Sequence, residues 1–136
     1  MIGTHSGRCS LAAFCERIEC SMFEVDRSIV VVRPTLAFYD WYISLPDSPK
    51  ETFAALREYT HSYMLPKIEA EEPPSEIIPD DLAHAIFEWE LMLHEIDHKY
   101  WPPNRTKVDN LIEWFEIQVV PLVVDTSEAE LNRHRM

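Results

Sequence analysis

The sequence predicts an α+β fold, a small three-stranded sheet packed against three to four helices in a single layer domain. Three observations predict it. RSIVVVR at 27–33 is a β-branched run bounded by charges and reads as a buried strand. Residues 81–98 carry apolar positions spaced by threes and fours, the mark of an amphipathic helix. Strand-like and helix-like patterns then succeed one another to residue 124 without an internal repeat. With 136 residues and 46% hydrophobic content, the chain can bury one core.

Pro34 ends the first strand, and Thr35 can cap a helix, LAFYDWYISL, that Pro46 stops. Ser48-Pro49 is a second start signal, with proline at the first helical position, for a short helix ending near Arg57. YTHSYML, 59–65, alternates Tyr59, His61, Tyr63 and Leu65 with other neighbours, the period of a half-covered strand. KIEAEEPPSEIIP is acidic, contains Pro73, Pro74 and Pro79, and reads as a loop. Asp80 caps the long helix, whose Leu82, Ala85, Ile86, Trp89, Leu93 and Ile96 would face the core. Trp101-Pro102-Pro103 breaks it. Thr106 with Asp109 resembles a capping box for a last helix through Trp114 or Phe115. IQVVPLVV, 117–124, closes the fold as a strand whose Pro121 favours an edge or a bulge.

Residues 1–24 read as a flexible extension, or one translated from too early a start codon, because Met22 is followed by FEVDRSIVVV, the natural start of a fold. Residues 25–126 would form the domain and 127–136 a polar tail. Cys9, Cys15 and Cys20 are odd in number and lack a CxxC pair, which argues against a disulfide framework or a zinc knuckle. No apolar run approaches the roughly 18–20 residues of a membrane span, and the first residues lack a secretory pattern. A cytoplasmic protein is expected.

Net charge is −12 and unevenly spread. Between residues 66 and 98, ten acids face one base, Lys67, a balance of −9. Such a field repels nucleic-acid phosphates and anionic lipid heads, so neither direct nucleic-acid binding nor a membrane is expected. It is either a solvated face that keeps the chain soluble or a docking surface for a basic partner.

HEIDH at 94–98 has the spacing of a zinc peptidase motif. On a helix, His94 and His98 could hold zinc through ring nitrogens while Glu95 acts as general base on the bound water. Three observations weigh against this. Six histidines and sixteen glutamates make a chance match easy. Asp97 and Lys99 flank His98, where a buried metal helix would carry uncharged neighbours. The positions where a metzincin needs glycine and histidine hold Trp101 and Asn104. No metal or other cofactor is therefore expected, with zinc kept as the alternative. Winding the helix at 100° per residue sets Phe87, Leu91, His94 and His98 opposite the core stripe, an apolar surface for a loop or a partner to cover. His61 and His84 read as ordinary strand and surface histidines.

Two stretches, RSIVVVRPTLAFYDW at 27–41 and YWPPNRTKVDNLIEWFEIQVVPLVVD at 100–125, resemble a family of small bacterial proteins with no assigned activity. The resemblance implies a fold and a bacterial origin but no mechanism, and HExxH is not part of its pattern.

The leading expectation is thus a non-catalytic protein that acts through protein–protein contacts. The acidic segment would meet a basic partner, with Phe87, Leu91, Trp101 and Arg105 as candidate surface contacts. The alternatives are a zinc-dependent hydrolase using His94, Glu95 and His98, and a DNA mimic or toxin-neutralising protein. No GxSxG elbow or Walker loop supports another enzyme class.

Overall fold

The structure, a computed structural model, describes residues 22–69 and 71–136. The expectations for the amino-terminal extension and its three cysteines lie outside these residues. The described residues divide into two compact units, Arg27–Pro121, and residues 22–26 with Leu122–Met136.

In the larger unit, β2 (Arg27–Pro34) is the centre of a three-stranded antiparallel sheet of order β3-β2-β4, with β3 at His61–Pro66 and β4 at Phe115–Val120. Burial alternates along β2, so Ser28, Val30, Val32 and Pro34 point into the core. Directly paired residues share a face. Val30 therefore brings Tyr63 and Val119 to the core side, and Val32 brings His61 and Ile117. The other face carries exposed Ser62, Met64, Glu116 and Gln118. Ser28 is buried yet satisfied, donating to Pro121 O (3.0 Å) and accepting from Ile68 N–H (2.9 Å).

Among the described residues, five helices accompany the sheet: α1 (Leu36–Ser44), α2 (Phe53–Leu56), α3 (Pro74–Ile77), α4 (Asp80–Met92) and α5 (Val108–Trp114), with a 3₁₀ turn at His98–Tyr100. The α+β class holds. Local starts and stops moved. Thr52, not Ser48, caps α2, its side chain accepting from Ala55 N–H. A one-turn helix, α3, interrupts the proline-rich loop after Pro73. At the start of α5, Asn110 accepts from Lys107 N–H, and Asp80 accepts from Val108 N–H (2.9 Å), tying α5 to α4. β4 is an edge strand that stops before Pro121. At the end of α1, the Lys50 ammonium donates to the carbonyls of Ile43 and Leu45. That cation-to-carbonyl cap fixes the chain that leads to Glu51.

The largest correction concerns α4. Its buried residues are Ala83, Ile86, Phe87, Glu90 and Leu91, spaced three and four apart. Only Ile86 belongs to the stripe expected to face the core. Phe87 and Leu91, expected at the surface, are fully buried, whereas Leu93 is 45% and Ile96 78% exposed. Phe87 meets Trp114 and Phe115 edge-on or tilted, and Phe38 joins the same aromatic core.

In the smaller unit, β1 (Phe23–Glu24) pairs antiparallel with β5 (Val124–Asp125), and Val25 N–H donates to Val123 O. The strand expected over 117–124 is thus two strands parted at Pro121. Among the described residues, no helix is long and apolar enough to cross a membrane.

Candidate functional site

The HEIDH segment is not α-helical. α4 ends at Met92, His94 lies in a turn, and Glu95 to Asp97 are irregular. Trp101 Nε1–H donates to Glu95 O (2.8 Å), and Asp97 caps the 3₁₀ turn by accepting from Lys99 N–H. The one-face geometry on which the zinc reading rests is therefore absent, and the two imidazoles part company. His98 stacks on Trp101 at 4.1 Å, while His94 turns inward against Phe38, Tyr42 and Tyr59. Among the described residues, no group of three His, Cys, Asp or Glu side chains is placed to hold a metal ion.

Trp101 is also corrected as an exposed anchor, because it is 8% exposed, with His98 stacked on it and the Arg105 guanidinium over its ring. Arg105 donates to Glu88 (2.9 Å) and to Pro102 O (2.7 Å), and His84 meets the same Glu88 carboxylate. Burial works to raise the Glu88 carboxyl, but the Arg105 and His84 hydrogen bonds outweigh it and hold the group below the usual range.

Two surface features remain, at opposite ends of β3 and α4. At the Pro66 end, two adjoining hollows of about 570 and 430 Å³ share Ile68, Glu69, Glu72 and Ile77. Leu65, Ile68, Ile77, Leu82 and Val119 form an apolar floor continuous with the core. Glu69, Glu71, Glu72 and Glu76 form an exposed rim. Among the described residues, the side chains of these four glutamates make no ion pair or hydrogen bond. Other acids of the segment are engaged: Glu88 by Arg105, Asp80 by Lys107, Asp97 by Lys99.

At the His61 end, a cleft of about 390 Å³ is lined by Tyr42, Pro49, Glu51, Tyr59, His61, Leu93 and His94. Behind it, Glu90 is 2% exposed and accepts from Tyr63 OH, and His61 Nδ1 lies 3.0 Å from Oε2. Burial raises the Glu90 carboxyl, opposed by Tyr63 and His61, and it drives the Tyr63 hydroxyl strongly upward, so Tyr63 stays a donor. Burial also lowers His94, with Glu51 opposing. Tyr59 OH donates to Glu51 Oε2 (3.0 Å).

Sequence reasoning missed Glu51, Tyr59, Tyr63 and Glu90. A signal existed for one of them: Glu90 is the lone acid in the 83-86-87-90-91 spacing, a position that needs partners if buried. Comparisons with protein-family models, curated proteins and solved structures found no match to this chain.

Proposed function

We propose that this chain is a non-catalytic cytoplasmic docking protein whose acid-rimmed groove receives a basic amphipathic segment of a partner protein. The observation that carries this reading is that Glu69, Glu71, Glu72 and Glu76, above an apolar floor, have no partner among the described residues. Apolar side chains of the partner would fill the floor, and Lys or Arg side chains would meet the rim. Unpaired carboxylates cost the free protein little while solvated and become attractive when a cation approaches. The balance of −9 across 66–98 adds steering over longer range and disfavours phosphate-rich partners.

A twelve-residue peptide alternating leucine and lysine tests it, with a leucine–glutamate peptide as control. The basic peptide is expected to bind and the acidic one not. Raising salt from about 0.05 to 0.5 M should weaken binding at least about tenfold through screening. Equal binding of both peptides would overturn the reading.

A further inference from the structure

We propose that the cleft between α1, β3 and the turn after α4 is a second, independent binding site, for a small molecule bearing an alkylammonium group. Three features meet there. Tyr42 and Tyr59 supply aromatic wall, Glu51 supplies a carboxylate, and His61 and His94 supply imidazole nitrogens. His94 has ring contacts to Phe38, Tyr42 and Tyr59, yet its ring nitrogens make no hydrogen bond to any described residue. A polar ring held in an aromatic niche with no partner at a cleft wall has hydrogen-bonding capacity left for a ligand.

The Glu51 carboxylate and the buried His94 ring favour a cationic donor over an anion. Tyr63 donates to Glu90, and His61 Nδ1 lies within hydrogen-bond distance of both oxygens of the same carboxyl group. That contact engages Nδ1 and leaves Nε2 as the ring nitrogen with no hydrogen bond to any described residue. Burial lowers the His94 pKa and so favours its neutral ring, which keeps an acceptor nitrogen. Glu51 keeps acceptor capacity after taking the Tyr59 hydroxyl hydrogen bond. The cleft therefore offers acceptors, a negative charge and aromatic faces, the combination that binds ammonium groups. A metal would demand three ligands in fixed geometry, which the described residues do not provide. An ammonium needs only loosely directed acceptors. The groove is not involved, since β3 carries the two sites about 17 Å apart at its two ends.

The test uses the full chain and three isosteric probes: n-butylammonium, n-butanol and butyrate. Calorimetry should give saturable butylammonium binding at about millimolar Kd or tighter, with butanol and butyrate at least about tenfold weaker. Imidazole ¹⁵N resonances of His61 and His94 should shift on binding, while those of His84 and His98 should not. Glu51→Gln, isosteric and still able to accept from Tyr59, should weaken butylammonium at least about tenfold, with folding checked by circular dichroism. Equal affinity for the three probes, or unmoved His61 and His94 resonances, would overturn the site. Displacement of butylammonium by one equivalent of zinc would also overturn it, as a metal site instead.

Discussion

Around the Asp80 end of α4, Glu69, Glu71, Glu72 and Glu76 stand exposed and unpaired among the described residues. Toward its Met92 end, Glu90 is buried and held by a tyrosine and a histidine. The same residue type serves opposite purposes. In the groove, carboxylates left in water cost the fold little and keep their charge for a partner. Beside the cleft, a carboxylate removed from water is tolerated only because β3 delivers two donors to it, and it then orients an imidazole. One region should be expendable for stability and essential for binding a basic segment, and the other should be the reverse.

The largest expected effect checks which face of α4 is the core. Phe87→Ala should destabilise by about 3–5 kcal/mol in urea unfolding, as large aromatic truncations in a packed core do. Ile96→Ala, at a position the helical pattern had assigned to the core, should change stability by no more than about 0.5 kcal/mol. Similar costs for both would restore the expected stripe. Next comes Glu90→Ala, which strips Tyr63 and His61 of their acceptor and should cost about 3 kcal/mol.

A smaller effect follows from pH. Burial sets the folded-state pKa of His94 below the ordinary 6.5, so the unfolded chain takes up that proton first as pH falls. The contribution of His94 is fully present above about 6.5 and is lost as pH falls through the folded value. Glu90 acts in the opposite sense: its folded pKa is raised, so its unfavourable contribution grows as pH rises above about 4.5. Comparing wild type with His94→Leu isolates the histidine. Stability of the wild type should fall more between pH 7.5 and 5.5 than that of the variant; parallel pH profiles would contradict the buried neutral imidazole. Smallest of all, replacing the four groove glutamates with glutamine should leave stability within about 0.5 kcal/mol of wild type.

The sequence made the sheet and its helical cover legible because β-branching in β2 and the alternation of His61, Tyr63 and Leu65 are local signals. The α4 face was not legible for a physical reason. Two stripes of similar apolarity wind around that helix, and the true one contains Glu90, which any hydropathy argument rejects. What admits Glu90 to the core is Tyr63 and His61 on a strand 27 and 29 residues earlier in the chain, a long-range pairing no local spacing reveals. The helix end was misread in the same way, since Trp101 captures the Glu95 carbonyl and pulls HEIDH out of the helix. The acidity of residues 66–98 was plain from composition, but its sorting into paired and unpaired carboxylates depends on where Arg105, Lys107 and Lys99 fold.

The most direct test is to titrate the leucine–lysine peptide into ¹⁵N-labelled wild type and into the Glu69→Gln, Glu71→Gln, Glu72→Gln, Glu76→Gln variant, following backbone amides. In the wild type, shifts should concentrate on residues 65–77, Leu82 and Val119, and the variant should bind at least about tenfold more weakly with its spectrum otherwise native. Shifts centred on residues 93–101, or unchanged affinity in the variant, would contradict the account.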